Sequence, residues 1–413
     1  MGKPKFAIWA LVALVALVAA MYLAACSSST STVPTLTPQP PTPTLPVAPT
    51  VVATATPAAT PLPTVEPPAL KLRLVNVATG ANSDLPVGFG GFGRDRAWSP
   101  DSTRMAVANE AGLSVGAVSA QRFSLLRPGS CFGVDWSPTR DQIAVGCKGG
   151  VAIVSIAGGV IMGDADSFAE WVRWAPDGKA VAYGSKNAPI TVMALDGTRK
   201  TVPGSFVTAQ WLPDGRLLTV EQPGYQDVAT IRIHDPAKAY AVVATAVTRA
   251  RAASLGIDRD GRQAAYAVYG PPASSGVPRI LPSTIVVLRI ADGRETATFP
   301  GYAGYNALDF TPDGRSLLLQ TGFCGSNWSI GVGALDGTVR SIATGGFMVG
   351  KFSPDGSQVG FTRGTELWVV ASDGNTPARR LAEGIHGPAG FDWSPDSKWI
   401  SVPPFFGGFD WCP

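Results

Sequence analysis

Histidine is almost missing from this chain: His234 and His386 are the only two in 413 residues. A Ser-His or Cys-His couple would have to use one of them, and neither stands near an obvious nucleophile. No spacing of His, Asp or Glu suggests a metal centre, so neither a metal nor any other cofactor is expected. Charge is scarce as well: 15% of residues are charged, and 33 Lys and Arg against 30 Asp and Glu leave a formal net charge of +3. With no basic stripe and no Arg-rich helix, nucleic acid is not an expected partner.

Two enzyme-like patterns fail on context. Gly112-Leu-Ser114-Val-Gly116 fits G-x-S-x-G, but a nucleophile elbow needs a strand-to-helix turn and this segment reads as a strand. Gly88-Phe-Gly90-Gly-Phe-Gly93 fits G-x-G-x-x-G, yet no helix follows to offer its positive end to a pyrophosphate. In a chain with 47 glycines, both read as coincidence.

What is present is repetition. An aromatic or aliphatic residue, a Ser-Pro-Asp or Pro-Asp-Gly turn and a short apolar run recur from Trp98 (WSPDSTRMAVA), Trp136, Trp174, Trp211, Ile257, Phe310, Phe352 and Trp393. Successive starts lie 38, 38, 37, 46, 53, 42 and 41 residues apart, a period that means repeated supersecondary units stacked on one core. Proline fixes φ and glycine tolerates the positive φ of a tight turn, so each phrase predicts a hairpin. The period-2 runs, such as Met105 with Val107 and Val181 with Tyr183, predict half-buried strands. Further turns at Gly80, Gly197, Gly293, Gly337 and Gly374 supply a second hairpin in several units. Four strands per unit of about 42 residues is the blade of a β-propeller.

This signature resembles the TolB-type propeller repeats, also called WD40-like or PD40 repeats, over residues 70–413. The second copy departs from it with Thr139-Arg140 in place of Asp-Gly, and the fifth keeps Asp260-Gly261 without the aromatic or the proline. The α/β domain that precedes the propeller in TolB is missing, so a Tol-system role does not carry over. The expected fold is all-β. Lys71–Leu85 reads as a hairpin with no preceding pair, and Phe391–Val402 as a pair with no following hairpin; if they complete each other, eight blades of four antiparallel strands close by a clasp. Seven blades result if they stack as separate caps.

Lys3 and Lys5 followed by an apolar stretch from Phe6 to Ala25 read as a secretory signal. Leu23-Ala-Ala-Cys26 resembles the bacterial lipobox, which implies lipidation of Cys26, cleavage before it, and an extracytoplasmic chain held to the membrane by a lipid. The alternative is an N-terminal signal anchor, since twenty apolar residues can span a bilayer. Residues 27–69 are Ser, Thr, Pro, Ala and Val with Glu66 as their only charge, a disordered linker by composition. Extended as polyproline II at about 3.1 Å per residue, it would reach roughly 130 Å.

Cys131, Cys147, Cys324 and Cys412 fit an oxidising compartment. Three pairings are possible; counting outward from the hairpin turn favours 131 with 147, leaving 324 with 412. A mostly polar position precedes the aromatic of most units, Asp135, Arg173, Gln210, Asp309, Lys351 and Asp392, and should line the central channel. There Asp135 should meet Arg173, and Lys351 both Asp309 and Asp392, as a ligand-binding ring or as structural ion pairs between units. One face, opposite the stereotyped Pro-Asp-Gly turns, collects variable loops and aromatics: Phe92, Phe132, Trp171, Tyr302, Tyr305, Trp328, Phe406 and Trp411. The expected function is a monomeric, membrane-anchored binding or scaffold module for an envelope protein, peptide or glycan. The alternative is a glycan hydrolase or lyase using Asp135, Asp309 and Asp392.

Overall fold

The computed structural model describes residues 71–88, 96–120, 122–165, 167–222, 228–248, 252–268, 284–301, 308–321, 328–345, 349–385 and 390–403. Nearly every ordered element is an antiparallel strand. The Pro-Asp-Gly phrases explain why. In the first, the Ser99 hydroxyl donates to Asp101 Oδ1 at 2.6 Å and accepts from the Arg104 backbone N–H, while Asp101 Oδ1 accepts from the Thr103 N–H. Thr311 with Asp313, Ser353 with Asp355 and Ser394 with Asp396 repeat the arrangement. The turn residue after each aspartate needs positive φ: Gly314 and Gly356 supply it at 68° and 74°, and Ser102 and Ser397 adopt it at 61° without the help of a missing Cβ. Each turn therefore closes its hairpin with hydrogen bonds drawn from within a few residues.

The strands group as follows. One sheet holds Arg96–Trp98, Arg104–Ala108, Gly112–Ala117 and Arg122–Pro128. The next holds Cys131–Trp136, Gln142–Cys147, Gly150–Ser155 and Val160–Asp164. A seven-stranded sheet runs Trp171–Trp174, Ala180–Gly184, Ala188–Ala194, Arg199–Trp211, Leu217–Glu221, Thr230–Asp235 and Ala241–Val247. Its long strand Arg199–Trp211 does double service, pairing with Ala188–Ala194 through its first half and with Leu217–Glu221 through its second. Ala252–Ile257, Gln263–Val268, Thr284–Arg289 and Glu295–Pro300 follow, then Ser316–Thr321, Trp328–Ala334 and Val339–Gly345 with Phe310 bridged to Leu317. Gly350–Phe352, Gln358–Arg363, Glu366–Ala371 and Arg379–Ala382 make another four-stranded sheet. The two ends of the described chain share the last: Asn82–Gly88, Lys71–Asn76, Trp399–Val402 and Asp392–Trp393 lie side by side in that order, with Arg73 opposite Val402 and Asn76 opposite Trp399.

The core lies between sheets. Among the described residues it falls into eight apolar clusters, each shared by two successive groups of four strands. One of them joins Leu72, Leu74 and Leu85 of the terminal sheet to Met105 and Val107 of the first. Another joins Leu367 and Val369 to Trp393 and Ile400. The inner strands differ from the half-buried alternation expected of them. Ala106 and Ala108 are as buried as Met105 and Val107, and Ala182 as Val181 and Tyr183. The reason is that neighbouring sheets cover both faces, so each alternate residue meets a core, with alanine on the tighter side. Full burial of a Val, Leu or Ile contributes about 1.5–3 kcal/mol, and these strands supply most of it.

Candidate functional site

The position before each aromatic acts between sheets. Asp135 Oδ2 accepts the backbone N–H of Trp174 in the next sheet at 2.7 Å, and Asp309 Oδ2 accepts that of Phe352 at 2.7 Å. The indole of the next aromatic completes the link from the other side: Trp211 Nε1 donates to the Arg173 carbonyl at 3.1 Å and Trp393 Nε1 to that of Lys351 at 3.3 Å. Lys351 Nζ stands 2.7 Å from Asp392 Oδ1. The guanidinium of Arg173 donates to the Val172 carbonyl at 2.6 Å, and Gln210 sits half-buried in register with Leu218. Burial pushes the Asp309 carboxyl up, against the lowering pull of the Phe352 N–H and the Lys351 charge. The structure thus brings Lys351 to Asp392, and places Asp309 on a backbone amide.

Sequence reasoning missed the charge that completes this arrangement. Arg96, with a side chain only 4% exposed, places its NH2 nitrogen 2.7 Å from Asp392 Oδ2. Its Nε donates to Ser401 Oγ at 3.0 Å and its NH2 to the Gly390 carbonyl at 3.1 Å. Ala97 occupies the position before Trp98, so the repeat frame pointed one residue away from the arginine that matters. Asp396 N–H donates to Ser102 Oγ at 3.0 Å between the same two sheets.

The loop-bearing face is described best around the 131–147 hairpin. Cys131 and Cys147 form a disulfide, with Cα atoms 3.8 Å apart and in register across the pair. Next to it Phe132 meets Phe168 edge to face, with ring centroids 5.6 Å apart, and Phe168 is 56% exposed. The segment that carries Phe168 is tied down on all sides. Asp164 Oδ2 accepts from the Tyr183 hydroxyl and from Ser167 Oγ, each at 2.6 Å. Burial and the bond to Asp164 push the Tyr183 phenol up to about 12. Glu170 N–H donates to the Gly184 carbonyl and Glu170 Oε2 accepts from the Lys186 N–H, both at 3.0 Å. Ala169 is fully buried between these anchors. Close approach explains two glycines: a Cβ on Gly133 would lie 2.7 Å from Trp171 Cα, and one on Gly146 2.6 Å from the Ala169 carbonyl oxygen. The result is a large apolar ring held outward on a fixed support, the arrangement that binding anchors favour. No repeat signal marks Phe168, because it stands in a connection whose sequence varies from unit to unit.

The opposite face is chemically quiet. The Ser99 and Thr311 hydroxyls, with the backbone N–H groups of Thr103 and Arg315, hold the Asp101 and Asp313 carboxyls below the usual range. An open cleft of about 440 Å³ on this side is lined by Arg216, Arg262 and Arg289, but each guanidinium is tied to the aspartate of its own turn, Asp214, Asp260 and Asp292. His234 is buried in the strand Thr230–Asp235, between Thr219 Oγ1 at 2.9 Å and the Tyr240 carbonyl at 3.0 Å. Among the described residues no group of three His, Cys, Asp or Glu could hold a metal ion. Cys26, Phe92, Tyr302, Tyr305, His386, Phe406, Trp411 and both cysteines of the 324–412 pairing lie outside the described residues, and Trp328 is described only as the first residue of its strand.

No family model matches the sequence, and no curated protein matches it. Solved structures do. The chain is similar to the Dos1 propeller at 10% identity and a TM-score of 0.55, covering 76% of this chain and 93% of that one. It is similar to the C-terminal WD40 domain of Sif2 at 14% identity and a TM-score of 0.53, covering 76% and 95%. A eukaryotic initiation factor structure aligns at 12% identity and a TM-score of 0.50, covering 82% and 99%. At such identities the likeness speaks for architecture alone, and with the strand pairing above it gives the conclusion that this chain folds as an all-β β-propeller.

Proposed function

We propose that the protein is an extracytoplasmic binding scaffold, tethered by a lipid on Cys26 and a stalk over residues 27–69, whose propeller presents the face around Phe132 and Phe168 to a protein partner. The observation that carries this reading is Phe168, an exposed aromatic ring whose support is anchored by Asp164, Tyr183 and Glu170. Holding such a ring in place before binding removes part of the entropy cost of association. The disulfide, the signal-like start and the lipobox together support the address. The propeller is eight-bladed and closed by a clasp, a reading supported by the eight inter-sheet clusters and by the pairing of Lys71–Asn76 with Trp399–Val402.

The test is capture from cell-envelope extracts by the full chain, with partners identified by mass spectrometry. Phe168→Ala should weaken the principal complex by about 1–4 kcal/mol, while Asp177→Ala in the opposite turns leaves it unchanged. The reverse pattern sinks the face assignment. Recovery of a diacylglyceryl adduct on Cys26, abolished in Cys26→Ala, supports the tether; an intact N-terminus at Met1 overturns it in favour of a signal anchor.

A further inference from the structure

The pairing of Cys131–Trp136 with Gln142–Cys147 is not regular to its end. Val134 stands opposite Val145 and Cys131 opposite Cys147, so Phe132 and Gly133 together face Gly146. An extra residue of this kind is a β-bulge, which disrupts the ladder, bends its strand and re-aims a side chain. The bulge is also a seat. A Cβ on Gly133 would lie 2.7 Å from Trp171 Cα and 2.9 Å from the Glu170 carbonyl oxygen, and one on Gly146 2.6 Å from that of Ala169, so the backbone of Ala169–Trp171 rests directly on it. Phe132, in the bulge, is the residue that meets Phe168. Beyond the bulge the mouth of the hairpin is closed by the Cys131–Cys147 disulfide, with the Lys148 N–H donating to the Ser130 carbonyl at 2.9 Å, while the Cys131 N–H turns away to the Asn109 carbonyl at 2.9 Å.

We propose that this disulfide gates the face: in the oxidised chain it holds the bulge that seats Ala169–Trp171 and steadies Phe132 against Phe168, and in the dithiol form the bulge opens and the two rings lose their fixed position. The physical reason is that strand ends with an interrupted ladder open at low free energy, and a covalent cross-link at the last pair withdraws that freedom. The proposal rests on the reading of Phe168 as a binding anchor and adds that the anchor is assembled only after oxidation. Closing the bridge joins the two Sγ atoms; the thiols give up two protons and two electrons, which convert one molecule of a disulfide oxidant to two thiols. Cys131 and Cys147 are 2% and 3% exposed, so exchange in the folded chain waits on local opening.

Hydroxyl-radical footprinting and hydrogen exchange on the purified full chain test this without any partner. Three forms are compared in the same mild urea: the oxidised wild type, the wild type reduced with dithiothreitol, and Cys131→Ser/Cys147→Ser. In the last two, labelling of the Phe132 ring should rise about twofold or more and amides of Ala169–Trp171 should exchange about tenfold faster, while the strands Gln358–Arg363 and Glu366–Ala371 of another sheet keep their rates. Loss of stability alone would speed exchange through global unfolding in every sheet and would leave the Phe132 label of the folded chain unmoved. Reoxidation with oxidised glutathione should restore both readouts. Unchanged labelling and exchange in the reduced wild type, equal changes in the distant strands, or unfolding of the wild type on reduction would each overturn the proposal; if only the double serine chain fails to fold, the reduced wild type decides. A footprint that shifts as expected in a chain whose Phe168→Ala variant binds as well as the wild type would keep the gate and remove the binding reading.

Discussion

Replacing Arg96 should loosen the meeting of the chain ends more than any other single polar change. Its guanidinium is buried and holds three partners, the Asp392 carboxylate and Ser401 Oγ in the terminal sheet and the Gly390 carbonyl just before it. Breaking a buried charged pair by removing one partner costs about 3–5 kcal/mol when the survivor is left alone. Asp392 is not left alone, because it is 34% exposed and keeps Lys351 at 2.7 Å, so the Coulombic share shrinks. Ser401 and the Gly390 carbonyl each lose a hydrogen bond of about 1 kcal/mol, and truncation removes the packed stem. Arg96→Ala should therefore cost about 3 kcal/mol, and Arg96→Met, which keeps most of the volume, about 2 kcal/mol. Urea unfolding measures the total, and a double-mutant cycle with Asp392→Asn isolates the pair at about 1–2 kcal/mol. Hydrogen exchange should show the loss first in Lys71–Asn76 and Trp399–Val402. A cost below about 1 kcal/mol for Arg96→Ala, or early exchange elsewhere, would refute the view that this arginine pins the two ends.

Two further outcomes follow from the same geometry. Cys131 and Cys147 close a loop of 16 residues, so Cys131→Ser with Cys147→Ser should lower stability by about 3 kcal/mol in denaturant unfolding, and non-reducing peptide mapping should recover the bridge from the wild type. His234 is held neutral in the fold, chiefly by burial, with a pKa below the ordinary value. The unfolded chain binds its proton near pH 6.5, so this stabilisation is complete above about 6.5 and is lost as the pH falls below it. Thermal melts of the wild type should drop across that window, and those of His234→Gln should drop less; parallel curves would exclude the assignment.

What the sequence determined by itself is what is decided within one hairpin. The Ser-Pro-Asp turns satisfy their own polar groups inside six residues, so each such copy announces a strand pair wherever it stands, and counting outward from the second copy's Ser-Pro-Thr-Arg turn sets Cys131 opposite Cys147. Strand type and the all-β class were legible for the same reason. What lies between hairpins was not. That Asp135 serves the Trp174 amide 39 residues on, and Asp309 the Phe352 amide 43 residues on, depends on the offset between neighbouring sheets. Arg96 was invisible because its partners lie about three hundred residues away, at and beside the strands that pair with Lys71–Asn76 from the far end of the described residues. Phe168 was invisible because exposure is a property of the assembled surface: its ring stays out only because Ala169 is buried and Asp164 and Glu170 hold the segment from either side. Local hydrogen bonding encodes the strands; packing between sheets, which no short stretch of sequence contains, decides which charges meet and which aromatic ring faces solvent.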